Sequence, residues 1–126
     1  VLLVQLPAGN VVSRQPSRGG FVECLAVARN GSAVVWGEST GAVAVWDLAV
    51  DQVDVLHVHP APVRAVAVHP DGLHVATACR DRGLAVFLRG RAGPLAEQQL
   101  QHELPQTLLY AADGRWLVSG QSTGSV

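Results

Sequence analysis

Residues 68–87 read VHPDGLHVATACRDRGLAVF: two apolar runs, with a Pro-Asp-Gly turn in the first half and an Arg-Asp-Arg-Gly turn between them. The same punctuation returns elsewhere. Asn30-Gly31, Asp71-Gly72 and Asp113-Gly114 stand 41 and 42 residues apart. Each is followed by a short apolar run and a second turn, ESTG (38–41), CRDRG (79–83) or QSTG (121–124). Sliding 22–47 by 41 residues onto 63–88 needs no gap and sets Val22 on Val63, Ala26 on Ala67, Gly31 on Gly72 and Val45 on Val86. GSAVVWGESTGAV (31–43) agrees with GRWLVSGQSTGSV (114–126) at seven of 13 positions. A fixed period of this length marks one supersecondary unit used repeatedly.

Inside each copy the apolar residues alternate, which predicts strands. In VRAVAV (63–68), Ala65 and Ala67 point one way and Val66 and Val68 the other. The first copy repeats this with Cys24 and Ala26 opposite the larger Leu25 and Val27. Two apolar faces on one strand imply cover on both sides. The turns divide the second copy into strands near 63–69, 73–79, 84–88 and, more weakly, 95–100. Four short antiparallel strands per unit make a propeller blade, whose faces are buried against neighbouring blades.

The residues HPAPVRAVAVHPDGLHVATACRDRGLAVF (59–87) resemble a WD-repeat unit: a His, a short gap, a Val-rich strand, Pro-Asp-Gly, a second strand and an Asp-containing turn. GAVAVWD (41–47) is similar to the closing strand of such a unit and ends in Trp46-Asp47. VLLVQLPAGNVV (1–12) resembles the last two strands of another blade, with Val4-Gln5 in the place of Trp-Asp. The resemblance implies an all-β, WD-repeat-type propeller segment that is part of a larger propeller. Residues 1–18 would be the last strands of a preceding blade, 19–58 and 59–100 blades, and 101–126 a partial blade.

The bulk composition narrows the function classes. The chain has 126 residues, 48% hydrophobic and 15% charged, with a net charge of −1. That balance predicts neither nucleic acid nor an anionic membrane as partner, since both favour a basic face. No apolar run approaches the roughly 20 residues a spanning helix needs. The first residues, VLLVQLPAG, lack the basic start of a signal peptide. Two cysteines without CxxC spacing fit a reduced setting, so an intracellular location, cytoplasmic or nuclear, is expected.

Some side chains carry chemistry. By the resemblance, His59, Thr77 and Asp81 join a loop imidazole, a strand hydroxyl and a turn carboxylate in a buried hydrogen-bond network. Phe87 stands where an indole usually ends that network, and Trp46 and Phe87 are expected to pack between blades. The first copy replaces the trio with Trp36, Thr40 and either Ser17 or Arg18. The third has Ser119, Thr123 and either Gln101 or His102. A hydrolase triad would need an accessible hydroxyl beside an oxyanion hole, whereas Thr77 falls in mid-strand, so no catalytic residue is assigned. His57 with His59, and His69 with His74, lack the spacing of known metal motifs, and neither metal nor cofactor is expected. Cys24 and Cys79 fall where other copies have Ala65 and Glu38 and read as packing residues. RGRAGP (89–94) reads as a solvated loop.

In the family, the loop after each fourth strand and the turn between the second and third strands lie on one rim, on which proteins dock, and the starts of the first strands lie beside it. Carried over, that rim holds Glu23, Arg64, Glu38, Ser39, Arg80, Arg82 and Gln121. The expected function is a non-catalytic scaffold or regulatory propeller that binds other proteins, or another domain of its own chain, with no small-molecule substrate. One alternative is a sensing or inhibitory propeller attached to a nucleotide-switched assembly domain, although no GxxxxGK[ST] occurs in these residues. Another is a propeller enzyme with a metal over the channel. Glu23, Arg64 and Gln106 at the equivalent inner positions do not make a recurring ligand set.

Overall fold

The alternating segments become strands throughout the computed structural model, which describes residues 1–5, 9–17, 20–81, 83–100 and 104–122. Strands β1 (Leu2–Gln5) and β2 (Asn10–Arg14) form an antiparallel pair. A four-stranded antiparallel sheet follows in chain order: β3 (Val22–Val27), β4 (Ala33–Glu38), β5 (Ala42–Asp47) and β6 (Gln52–Val58). The next repeats it with β7 (Val63–Val68), β8 (His74–Cys79), β9 (Gly83–Leu88) and β10 (Ala96–Gln99). Strands β11 (Leu104–Tyr110) and β12 (Leu117–Ser122) form a last pair. No helix among the described residues is long and apolar enough to cross a membrane.

The sequence period reappears bond by bond at the turns that join the first two strands of each unit. Gly31, Gly72 and Gly114 adopt φ of 74°, 73° and 73°, the left-handed region glycine enters without steric cost. Ahead of each, a side-chain oxygen folds back onto the chain. Asn30 Oδ1 accepts the Ser32 N–H at 3.0 Å, Asp71 Oδ1 that of Leu73 at 2.8 Å, and Asp113 Oδ1 that of Arg115 at 3.0 Å. The glycine N–H groups donate to Ala28, His69 and Ala111 carbonyls at 2.8, 2.8 and 2.9 Å. An Asx turn closed by a left-handed glycine therefore sets the register of all three hairpins.

Alternation divides each sheet between two neighbours. On β4 and β5, Ala33, Val35, Val43 and Val45 pack with Val63, Val66 and Val75 of the next sheet. The intervening Val34, Trp36, Ala44 and Trp46 pack with Val1 and with Leu3 of β1. In the second full sheet, Ala65, Ala67, Ala76 and Ala78 form a small-residue face that receives Leu108 and Tyr110 from β11. Every residue of β4 is buried, as befits a strand covered on both faces. Contact is close enough to dictate a glycine: a Cβ at Gly37 would run into the Val63 side chain and stand 2.8 Å from Cys24 Sγ.

Gly41 works differently, because its φ of 93° coincides with a tight approach in which an added Cβ would strike the His59 carbonyl. Its own carbonyl accepts the His59 N–H at 2.8 Å and so ties the β6–β7 connection to the first sheet. Gly41→Ala is expected to destabilise the chain by at least about 3 kcal/mol, from left-handed strain together with overpacking. Gly31→Ala, which meets open space, should cost only about 1 kcal/mol. Urea denaturation of the two variants measures the difference.

Candidate functional site

In an antiparallel sheet the starts of odd strands and the ends of even ones lie along the same edge. At that edge, each innermost strand carries a bulge at the same place. The register shifts between Val22 and Cys24, between Val63 and Ala65, and between Pro105 and Thr107. The skipped residues are Glu23, Arg64 and Gln106, released from the ladder and re-aimed by the bulge. Glu23 is exposed, while Arg64 and Gln106 are half-buried. Arg64 Nη2 donates to Gln106 Oε1, and Gln106 Nε2 to Ser122 Oγ at 3.2 Å, so polar contact runs from one blade into the next.

The turn residues sort less uniformly. Arg80 and Gln121 are exposed beside this line. Ser39 is half-buried, its Oγ accepting the Phe21 N–H at 2.8 Å. Arg82 lies outside the described residues. Glu38 departs from the expectation of a rim contact: it is 0% exposed, and Trp36 Nε1–H donates to its Oε2 at 2.9 Å. The reason is local. Trp36 fills the slot that Thr77 has in the next blade, a buried indole N–H needs an acceptor, and the residue two along the strand shares its face.

Beneath the rim, His59 Nε2 and Thr77 Oγ1 stand 2.9 Å apart, with the residues 8% and 0% exposed. Phe87, also buried, lies tilted against His57 with ring centroids 4.7 Å apart, and His57 meets His59 edge-on at 4.6 Å. Burial, helped by neighbouring His57, pushes the His59 pKa down against the opposing pull of the Asp81 charge. Asp81 Oδ1 accepts the Gly83 N–H of its own turn at 2.9 Å, so it acts on His59 through its field. Thr77 Oγ1 has no exposure to offer a substrate. In the third unit Ser119 Oγ is buried without a partner among the described residues. The positions expected to face it, Gln101 and His102, lie outside those residues, as do Arg18 and Thr123.

Other expected residues also find places. Trp46, 1% exposed, packs with Trp36, and its Nε1–H donates at 2.9 Å to Asp51, which holds a φ of 52°. Trp116 is 67% exposed. Burial raises the Cys24 thiol to about 11, and it points at the Val63 carbonyl across the blade boundary, 3.7 Å away. Cys79 is raised likewise by burial and donates to Ala61 O at 3.2 Å. Both are packing groups. The 89–94 loop is exposed over residues 90–93, as expected, but Arg89 at its start is half-buried and donates to Asp47 Oδ2 at 3.0 Å and to Gly72 O at 2.9 Å, joining two blades. Its basic residue and the Asp of Trp46-Asp47 were visible in sequence, but their pairing depends on how the sheets stack.

The family model described as WD domain, G-beta repeat, matches residues 50–87. WD repeat-containing protein SL1-17 of Schistosoma mansoni is 39% identical over 69 residues, 55% of this chain and 23% of that protein. WD repeat-containing protein 46 of Homo sapiens is 30% identical over 101 residues, 79% of this chain and 17% of the relative. Its Mus musculus counterpart is 31% identical over 99 residues, with 77% and 16% covered. The chain thus spans less than a quarter of the length of these curated relatives.

Thr77→Val keeps the shape and leaves His59 without its hydroxyl, and should cost about 1–3 kcal/mol in chemical denaturation. The His59 contribution also carries a pH signature. Because its folded pKa lies below the unfolded 6.5, its stabilisation is fully present above that value and is lost as pH falls through the folded pKa. The destabilisation caused by His59→Gln should therefore be largest near neutrality and shrink as pH falls below 6.5.

Proposed function

The chain is a WD-repeat family segment, and from that premise we propose that it is a non-catalytic binding module whose bulge-bearing rim docks another protein or another domain of its own chain. WD-repeat proteins typically bind other proteins. What supports this rim in particular is the row of skipped residues, Glu23, Arg64 and Gln106, repeated on three successive inner strands. A bulge costs ladder pairing and aims a side chain away from the sheet. Their side chains differ in charge from blade to blade, and Arg80 and Gln121 flank them. Such a pattern gives a partner register and selectivity without a strong overall field.

The same proposal places the protein inside the cell, cytoplasmic or nuclear, with free Cys24 and Cys79 as its support. It names proteins over nucleic acid or membrane because the net charge is −1. Buried Glu38 has no part in docking. The differing groups at the three bulges favour recognition over a shared catalytic centre.

Affinity capture with quantitative mass spectrometry tests the rim. Arg64→Glu with Arg80→Glu should deplete bound partners at least about tenfold, whereas Arg29→Glu with Arg115→Glu at the opposite sheet edge should leave them in place. Identical partner lists from the two variants would remove the rim from consideration.

A further inference from the structure

At the opposite edge, the β7–β8 turn gathers three donor groups that the docking rim does not use. His69, Asp71 and His74 each present one ligand atom, and the three atoms lie within 4.8 Å of one another. His69 Nδ1 is 3.1 Å from Asp71 Oδ1, and His74 Nδ1 is 2.6 Å from Asp71 Oδ2. Tetrahedral ligands at zinc's bond length of roughly 2.1 Å stand on the order of 3.4 Å apart, so both contacts with Asp71 are already at or inside that spacing, within a cluster no wider than 4.8 Å. We propose that His69, Asp71 and His74 form a binding site for a transition-metal dication of the zinc class.

The arrangement of His69 supports this independently of spacing. Its Nε2 is 2.9 Å from the Gly114 carbonyl, while its Nδ1 accepts the Asp71 N–H at 3.0 Å. The ring proton therefore sits on Nε2, and the single Nδ1 lone pair faces the turn, where the Asp71 amide holds it. Metal-binding imidazoles are commonly held this way, with the other ring N–H given to a backbone carbonyl. The ring is fixed further by Tyr110, edge-on at 5.0 Å, and by Gly114, where a Cβ would collide with the imidazole. Asp71 Oδ1 accepts the Leu73 and His74 N–H groups at 2.8 and 3.1 Å, which holds the carboxylate beside the two imidazoles.

Two imidazoles and one carboxylate suit zinc, nickel or copper; magnesium and calcium prefer an all-oxygen set. Side-chain exposures of 25%, 32% and 35% leave room for water to complete the coordination. On binding, the metal takes the His69 Nδ1 lone pair from the Asp71 amide. The proton on His74 Nδ1 moves through solvent to Nε2, so neutral imidazole ligates without net proton release. Through the His69–Gly114 bond the ion would brace the turn of one blade against the turn of the next.

Metal-free full chain should take up one zinc ion in isothermal titration. ¹H–¹⁵N spectra of the side chains should move the His69 and His74 ring nitrogens and leave His57 and His59 in place. His69→Gln and His74→Gln, checked for intact fold by thermal melting, should each weaken zinc affinity at least about tenfold. Absence of stoichiometric uptake would overturn the proposal, as would unchanged affinity in folded variants. The spectra decide the matter on the unmodified chain if a variant fails to fold: shifts confined to other histidines would also reject it.

Discussion

Everything in this structure depends on sheets with two oily faces being stacked against one another. Alternation alone does not hide the valines of β4 and β5, because each face needs its own cover. Val35, Val43 and Val45 obtain it from Val63, Val66 and Val75 of the next sheet, and Val34 and Trp46 from Val1 and from Leu3 of β1. Each valine or leucine so buried is worth about 1.5–3 kcal/mol, but only while its neighbour stays in place. The stack is therefore cooperative across repeats, as expected of units that cannot shelter themselves. The alanine face of the second sheet serves the same constraint: small side chains let Leu108 and Tyr110 approach.

Polar groups caught between such sheets must be satisfied there, and the repeats solve this differently. The second blade joins His59 to Thr77, while the first places Trp36 on Glu38 in the corresponding slot. Trp46 reaches Asp51, whose left-handed backbone turns the carboxylate back under the indole. A group left unpaired in such a position costs about 1–3 kcal/mol. Change is thus tolerated at these positions when a donor and an acceptor change together. The visible decay of the His–hydroxyl–Asp pattern in the first copy is an exchange of one buried pair for another.

Much of this was legible in the sequence because it is encoded locally. Turn glycines and their Asx neighbours announced the hairpins, and the period-two pattern correctly assigned Ala65 and Ala67 to one face and Val66 and Val68 to the other. Less legible were features that depend on which side chain occupies a slot. Glu38 reads as a rim carboxylate because turns between strands usually face water, whereas in the structure it is buried and accepts the Trp36 indole N–H. Arg89 read as solvated because its loop is rich in glycine, yet it lands on Asp47 of the preceding blade. In the sequence His69 and His74 stand out, whereas Asp71 reads as a turn former. The spacing His-x-Asp-x-x-His held the signal, and a tight turn was needed to bring the three together.

The most direct measurement is a set of through-space proton contacts in solution. Stacked sheets predict nuclear Overhauser effects between the Val63 methyls and the Gly37 α-protons, and between the Leu108 methyls and those of Ala76 or Ala78. Finding strong effects within each hairpin but none across these boundaries would mean that the sheets do not shelter one another, and the account would fail.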